Sequence, residues 1–274
     1  MGPPGAGGRP ARPSGFFAGY VFDLDGTIYL GDALLPGARD TIGRIRAAGR
    51  PVLFLSNNPL RTREEYAAKL TRLGIPAASA DVINSSYVLV RHLQRSAPRA
   101  RLLVIGEMSV KQELREGGLA LTDDPAQTDI VVACFDRTFD YDKLQRAFDA
   151  IRAGARFIAT NRDPYCPVPG GGLPDCGAII AAVEACTGHR VEEVMGKPSS
   201  IMAGVILARM ALPPHSVVVT GDRLETDVAL ARGAGMVSAL VLTGATDAAA
   251  LETSALRPDY VLTSLSEILP PASA

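Results

Sequence analysis

Eight short apolar runs recur along the 274-residue chain, and segments with helical periodicity separate most of them. Apolar runs bounded by turn residues are typical of strands, and their alternation with helices predicts an α/β fold with largely parallel strands. Runs such as VLFLS and VVVTGD indicate strands that are covered on both faces. The predicted strands are Tyr20–Leu24, Val52–Leu55, Leu102–Ile105, Ile130–Ala133, Arg156–Ala159, Val217–Thr220, Val237–Leu242 and Tyr260–Leu262.

One predicted helix follows the second of these strands. Thr62 and Glu65 form a capping box at its start, and apolar residues then recur at helical spacing as far as Leu73. Gly74 and Pro76 end the pattern. We therefore expect a helical crossover between two parallel strands in this part of the chain.

Charge and composition exclude several kinds of partner. The chain has 47% hydrophobic residues, 28 Lys plus Arg and 29 Asp plus Glu, so its formal charge is -1. A balanced charge without blocks of one sign gives no general attraction to nucleic acid or anionic lipid. No apolar run approaches the ~20 residues of a membrane span, and the start of the chain resembles no secretory signal. These features predict a cytoplasmic protein.

The first 15 residues and the cysteines carry no predicted function. Residues 1–15 are dominated by Gly, Pro, Ala and Arg, which favours a disordered tail, so the fold is expected to begin near Phe16. The cysteines form no CxxC pair, so we assign them no metal or redox role. They are Cys134, Cys166, Cys176 and Cys186.

Two carboxylates stand where the first strand ends. Asp23 and Asp25 are separated by one residue, so they would share a face if the strand continued. At ~4 Å two like charges repel by about 4 kcal/mol at an effective dielectric near 20. Either the pair is solvated at a turn, or a cation binds there.

Two more predicted strands end in polar residues. These ends are Ser56–Asn58 and Gly221–Asp227, and a fourth element, Gly196–Ser199, places Lys197 at a predicted helix start. Each has an ordinary structural explanation as a turn, a cap or a solvated lysine. In open α/β sheets, however, ligands bind at the carboxyl ends of strands. Carboxylates, hydroxyl, amide and ammonium together predict a phosphoryl-transfer site that holds Mg²⁺.

These four elements, in this order, closely resemble the motifs of the haloacid dehalogenase-like superfamily. The stretches VINSSYVLVRHL, VVACFDRTFDYDKL, FIATNRD and GDRLETDV resemble its NagD and p-nitrophenylphosphatase-like branch, which is subfamily IIA with a C2-type cap. The resemblance covers nearly all of the chain from Phe16 onward. It implies a Rossmann-like three-layer core with a parallel sheet and a large α/β cap inserted between the second and third motifs.

The resemblance also implies roles for the carboxylates. Asp23 would be the nucleophile that forms an aspartyl-phosphate, and it would bind Mg²⁺ through its other oxygen. Asp25 would be the general acid and base, and its backbone carbonyl would bind the metal. Asp222 would be the third protein ligand, and Asp227 would lie outside the ligand shell. The residues alone do not decide which of Asp23 and Asp25 is the nucleophile.

Other positions would hold the substrate. By the same resemblance, Lys197 would neutralise the phosphate and steady Asp23. The remaining predicted phosphate- or substrate-binding residues are Ser56, Asn57 and Asn58 in the second motif, and Asn161, Arg162 and Asp163 in the cap.

The resemblance divides the chain into a core, residues 16–99 and 191–274, and a cap, residues 100–190. From the residues alone, the long inserted stretch is either a continuation of the core sheet or a small domain. Its glycine-rich stretch, residues 167–177, is predicted to form a flexible loop. Family members commonly dimerise through the cap, so a homodimer is expected.

The expected activity is Mg²⁺-dependent hydrolysis of small phosphorylated metabolites. Sugar, polyol and nucleotide monophosphates are the expected substrate classes, with p-nitrophenyl phosphate as an artificial substrate. The aromatic content is 5% with no Trp, which offers little for stacking a base and favours a sugar or polyol phosphate. Three alternatives stay open: a phosphomutase of the same superfamily, a receiver-like phospho-accepting module and a binding protein that lost catalysis. The inserted stretch favours the hydrolase over the first two.

Overall fold

The computed structural model describes residues 12–168 and 170–271. Most of the predicted tail, residues 1–11, lies outside the described residues, and residues 12–15 form no helix or strand. The described residues pack into two compact units. Among the described residues, the first unit comprises residues 12–54, 73–75 and 207–271. The second comprises residues 55–72, 76–168 and 170–206.

Strands and helices alternate along the described chain. The strands are β1 (Gly19–Asp23), β2 (Tyr29–Leu30), β3 (Ala33–Leu34), β4 (Val52–Ser56), β5 (Val82–Asn84), β6 (Arg101–Ile105), β7 (Ala120–Leu121), β8 (Ile130–Ala133), β9 (Arg156–Ala159), β10 (Tyr165–Val168), β11 (Gly171–Pro174), β12 (Glu193–Val194), β13 (Val217–Gly221), β14 (Val237–Val241) and β15 (Tyr260–Leu262). All eight predicted strands are present, with bounds that differ by at most one residue.

The α-helices lie between most of these strands. They are α1 (Ala38–Ala47), α2 (Arg63–Arg72), α3 (Ser85–Ser96), α4 (Met108–Glu116), α5 (Tyr141–Arg152), α6 (Cys176–Thr187), α7 (Ser200–Met210), α8 (Ala229–Gly233) and α9 (Ala248–Thr253). Short 3₁₀ segments occupy Ser79–Asp81, Pro125–Gln127, Pro214–Ser216 and Leu265–Ile268, and a π-helical turn occupies Leu224–Val228.

The larger sheet has six strands in the order β15-β14-β13-β1-β4-β5. Its β1–β13, β13–β14 and β14–β15 pairs are parallel. Every residue of β1 and β13 is buried, because parallel strands in α/β folds are covered on both faces. The carboxyl ends of β1 and β13 therefore lie side by side, which is where the predicted catalytic carboxylates occur.

A second sheet belongs to the second unit. Its five strands have the order β12-β9-β8-β6-β7 and pair in parallel. Apolar side chains from β6, β8 and β9 form a buried core with helices α5 and α6. In the chain this sheet stands between Ser56–Asn58 and Gly196–Lys197. The predicted fold class, an α/β core with a parallel sheet and an inserted α/β segment, is confirmed, while the predicted domain boundaries stay a prediction.

The predicted crossover helix is confirmed as α2. Thr62 N–H donates to Glu65 Oε2 (2.7 Å), and Glu65 N–H donates to Thr62 Oγ1 (3.3 Å), so the capping box is formed. After the helix, Gly74 has φ +91°, a conformation that glycine adopts without steric cost.

The prediction of a flexible loop over residues 167–177 is wrong for the described residues of this stretch; residue 169 lies outside them. Strands β10 and β11 form an antiparallel hairpin there, and α6 begins at Cys176. Gly172 allows this pairing, because a Cβ at that position would lie 2.8 Å from Cδ2 of the Tyr165 ring. The ring covers the glycine, which compensates for the missing side chain in the strand. Asp175 then caps α6 by accepting a hydrogen bond from Cys176 N–H.

A buried ion pair follows β8 in the second unit. The Asp136 side chain is fully buried, and it accepts hydrogen bonds from Lys143 Nζ (2.7 Å) and Thr138 Oγ1 (2.6 Å). Burial raises the pKa of Asp136, but the bonds from Lys143 and Thr138 outweigh it, so the pKa lies below the ordinary 3.8. The stabilisation is therefore complete above the ordinary pKa and is lost as the pH falls through the lower folded value.

Asp136→Ala is expected to lower the free energy of unfolding by about 3 kcal/mol, because it leaves Lys143 without its carboxylate. Chemical denaturation near neutral pH measures this loss. Asp129→Asn is the matched control. Asp129 and its partner Arg101 are both exposed, so little change in the free energy of unfolding is expected. Equal stabilities of the two variants would contradict a stabilising role for the buried pair.

Candidate active site

Three carboxylates converge in the first unit. Asp23 ends β1, Asp222 follows β13, and Asp227 lies in the π-helical turn. One oxygen of each can be chosen so that all three lie within 4.8 Å of one another. All three residues are buried. The pairing of β1 with β13 brings together residues that are about 200 positions apart in the sequence.

This cluster fits a hard divalent cation. At such separations two like charges repel by about 3 to 4 kcal/mol per pair at an effective dielectric near 20. Hydrogen bonds orient the carboxylates: Asp222 Oδ2 accepts from Ala245 N–H (2.6 Å), and Asp227 Oδ2 accepts from Arg223 N–H (3.2 Å). Mg²⁺ usually binds to one or two carboxylates together with water and substrate phosphate oxygens, so a few carboxylates suffice.

The cluster holds two of the predicted metal ligands. Asp23 and Asp222 belong to it, and so does Asp227, which was predicted to lie outside the ligand shell. Asp25 lies half-buried in the turn after β1. Among the described residues, its carboxylate is not part of the cluster. The resemblance implied a backbone carbonyl ligand at Asp25, so its carboxylate is not needed in the cluster.

Glycines line the cluster closely. A Cβ at Gly244 would lie 2.0 Å from Asp222 Oδ2, and a Cβ at Gly26 would lie 2.5 Å from the same atom. A Cβ at Gly221 would lie 2.1 Å from Asp227 Cγ. Any side chain at these positions would force the carboxylates to move.

The loop after β14 also supports the cluster, which was not predicted from the sequence. Thr243 Oγ1 donates to Gly26 O (2.7 Å), and Thr246 N–H donates to Asp222 O (3.1 Å), so residues 243–246 support the cluster. The available signal was a predicted strand that ends in Thr-Gly, at the same end of the sheet as the other polar strand ends.

Gly244→Ala is expected to weaken Mg²⁺ binding about 10- to 100-fold, because it displaces the Asp222 carboxylate. Isothermal titration with MgCl₂ measures the affinity. Gly43→Ala in α1 is the matched control: its Cβ meets no atom within 4 Å. It should bind Mg²⁺ as the native protein does and gain about 1 kcal/mol of stability. Native affinity in Gly244→Ala would contradict a metal site at Asp222.

In the second unit, a hydrogen-bonded loop follows β4. Ser56 Oγ donates to Tyr66 Oη (3.1 Å) and accepts from Asn58 N–H (3.1 Å). Tyr66 Oη in turn donates to Asn58 O (2.9 Å). Asn58 Oδ1 accepts from Leu60 N–H (2.8 Å). The first turns after the strand are thereby fixed around Ser56, a predicted phosphate-binding residue.

The structure brings four other predicted site residues of this unit together. Lys197 N–H donates to Asn57 Oδ1 (2.7 Å), and Asn57 Nδ2 donates to Asp163 Oδ2 (2.8 Å). Asn161 Nδ2 donates to the same Asp163 oxygen (2.9 Å). Asn161 and Lys197 are buried, whereas Arg162 is exposed.

No helix in the described ranges, residues 12–168 and 170–271, has both the length and the apolar character needed to span a membrane.

Comparisons with known proteins agree with these features. The family model described as haloacid dehalogenase-like hydrolase matches residues 20–120, and a related model of HAD-hydrolase-like proteins matches residues 194–268. The chain is 37% identical to the sugar-phosphatase AraL of Bacillus subtilis (strain 168), over 92% of each protein.

Solved structures are similar over the same extent. The 4-nitrophenylphosphatase of Thermotoga maritima has a TM-score of 0.88 and 34% identity, covering 92% of this chain and 96% of its own. NagD from E. coli strain K-12 has a TM-score of 0.85 and 28% identity, covering 92% of this chain and 98% of its own. The chain therefore belongs to the haloacid dehalogenase-like hydrolases, in the branch that contains NagD and the p-nitrophenyl phosphatases.

Proposed function

We propose that this phosphatase hydrolyses small sugar or polyol phosphates, requires Mg²⁺ and acts through an aspartyl-phosphate at Asp23. The observation that carries the proposal is the buried cluster of Asp23, Asp222 and Asp227 at the carboxyl ends of β1 and β13. Three buried carboxylates at these separations repel one another, and their oxygen donors suit Mg²⁺.

In this proposal Mg²⁺ is held by Asp23, by Asp222 and by the backbone carbonyl of Asp25. Asp227, fixed by Arg223 N–H and by Thr226 Oγ1 (3.2 Å each), keeps the cluster in place. Bound Mg²⁺ would neutralise negative charge on the phosphate oxygens, which lets an anionic nucleophile approach an anionic substrate.

Asp23 and Asp25 divide the covalent chemistry. A carboxylate oxygen of Asp23 attacks phosphorus, the bond from phosphorus to the ester oxygen breaks, and Asp25 gives its proton to the leaving oxygen. Asp25 then takes a proton from water as the water oxygen attacks the phosphorus of the aspartyl-phosphate. Inorganic phosphate leaves and Asp23 is regenerated, so one slow hydrolysis is split into two displacements.

Other predicted site residues hold the substrate in this proposal. Lys197 neutralises the phosphate, and the Ser56–Asn58 loop donates hydrogen bonds to it from groups other than the Asn57 side chain. Arg162 is an exposed charged residue in the loop after β9, and we propose that it contacts the part of the substrate that leaves.

Two observations favour a sugar or polyol phosphate. The chain has no Trp and 5% aromatic residues, so it offers little surface for stacking a nucleobase. The similar protein AraL is named a sugar-phosphatase. The names of the similar proteins also favour hydrolysis over the phosphomutase and over the receiver-like module.

We further propose a cytoplasmic homodimer that binds neither nucleic acid nor membranes. All four cysteines are free thiols, as expected in a reducing compartment, and the net charge is close to zero. Size-exclusion chromatography with light scattering tests the dimer: a monomer mass at micromolar concentration would contradict it.

Phosphate release from a panel of compounds tests the proposed function. The panel holds sugar phosphates, glycerol phosphates, nucleoside monophosphates and p-nitrophenyl phosphate, each with MgCl₂ and with EDTA. We expect release that requires Mg²⁺ and a higher kcat/KM for sugar or polyol phosphates than for nucleotides. No release from any compound would overturn the phosphatase, and a preference for nucleotides would overturn only the substrate class.

A further inference from the structure

The side-chain amide of Asn57 forms hydrogen bonds with other groups of the protein. Its amide contacts both backbone polar atoms of Lys197: Oδ1 accepts from Lys197 N–H (2.7 Å), and Nδ2 donates to Lys197 O (3.2 Å). The second Nδ2 proton goes to Asp163 Oδ2 (2.8 Å). Both donor protons of the amide therefore have acceptors within the second unit.

The surrounding backbone is built for this contact. A Cβ at Gly196 would lie 2.6 Å from Asn57 Oδ1 and 2.7 Å from Thr160 O, so only glycine allows the close approach. Ser85 Oγ donates to the backbone carbonyl of Asn57 (2.5 Å), which fixes the main chain from which the amide projects. Asn57 thus has a defined position relative to the Lys197 backbone.

Asp163 sets the orientation of the Asn57 amide. Its carboxylate oxygen accepts a hydrogen bond, so the Nδ2 group of Asn57 faces Asp163. The Oδ1 atom of Asn57 therefore faces Lys197 N–H. Asp163 is in turn held by Asn161, which is fully buried and also donates to Asp175 Oδ1 (3.0 Å) at the start of α6. A continuous set of hydrogen bonds therefore runs from the start of α6 to the backbone of Lys197.

We propose that Asn57 and Asp163 are positioning residues for Lys197 and that their side chains do not contact the substrate. This inference rests on the proposed function, in which the Lys197 ammonium neutralises the phosphate. The backbone of Lys197 is the point from which its side chain extends, so a shift of that backbone changes where the ammonium can be placed. A displacement of about 1 Å at a reacting centre can cost about 100-fold in rate.

An exchange of the two side chains tests the proposal, with p-nitrophenyl phosphate as substrate. Asn57→Asp keeps the acceptor for Lys197 N–H but puts a carboxylate against Asp163. We expect kcat to fall about tenfold or more while KM changes less than about threefold. In the double variant Asn57→Asp/Asp163→Asn the amide and carboxylate have exchanged places, so at least part of the lost kcat should return.

Single variants make the test decisive. Asp163→Asn can present either an oxygen or an amide to Asn57 and no longer fixes the orientation of the Asn57 side chain, so its kcat should fall, though less than that of Asn57→Asp. The control Asp129→Asn changes an exposed residue outside this set of hydrogen bonds, so its kcat should stay within about threefold of native. Failure of the exchange variant to recover kcat, or a change in KM and substrate ranking with kcat unchanged, would overturn the positioning role. If the native protein releases no phosphate, the proposed function has failed instead.

Discussion

Asp23→Asn is expected to lower kcat by at least about 10³-fold with little change in stability, because an amide of the same shape cannot attack phosphorus. Asp23 is buried at the end of β1 and belongs to the carboxylate cluster, so the substitution also removes one of its three charges. Release of p-nitrophenol with MgCl₂ measures the loss, and far-UV circular dichroism establishes that the variant is folded.

Asp40→Asn is the matched control for this variant. Asp40 lies in α1 of the same unit, and its side chain is exposed, so its kcat should equal that of the native protein. A folded Asp23→Asn variant that retains more than about a tenth of native kcat would contradict a nucleophilic role for Asp23.

Mg²⁺ is expected to stabilise the native protein and to be required for its activity. A ligand that binds only the folded state at 100 times its Kd adds about 2.7 kcal/mol of stability, which raises Tm by several degrees. Asp222→Asn removes a charge from the cluster but keeps an oxygen that accepts from Ala245 N–H, so the variant should fold and lose most of this gain.

Thermal unfolding with MgCl₂ and with EDTA measures the effect of Mg²⁺, and CaCl₂ and KCl are run as comparison salts. The native protein and Asp40→Asn should show the same rise in Tm with MgCl₂, and KCl should give none. If MgCl₂ raised the Tm of Asp222→Asn as much as that of the native protein, Mg²⁺ would bind elsewhere on the protein.

The strands of the parallel sheets could be predicted from sequence because their signal is local. Burial on both faces demands an unbroken apolar run, and β1, β8 and β13 show one. The start of α2 could be predicted for the same reason, since Thr62 and Glu65 are three residues apart and satisfy each other.

The prediction that Asp23 and Asp222 converge depended on the topology of the fold as well as on the local sequence pattern. The general rule that ligands bind at the carboxyl ends of parallel strands was enough to group them. The role of Asp227 outside the ligand shell stays a prediction. Sequence spacing does not show that a π-helical turn carries its carboxylate to the cluster.

Features that depend on distant partners could not be predicted. The Asn57 amide meets Lys197, 140 residues away, and Asp163, 106 residues away, and nothing near Asn57 in the sequence identifies either partner. The β10–β11 hairpin was mistaken for a loop, because glycine-rich composition is typical of loops and the Tyr165 ring that covers Gly172 is a cross-strand neighbour.

The most direct test of the covalent mechanism is to find the phosphorylated residue. The native protein is mixed with substrate and MgCl₂, quenched in acid during turnover and reduced with borohydride, which converts an aspartyl-phosphate to homoserine. Peptide mass spectrometry then locates the change. We expect homoserine at position 23 alone. Homoserine at position 25, or none at either position during active turnover, would contradict the nucleophilic role of Asp23.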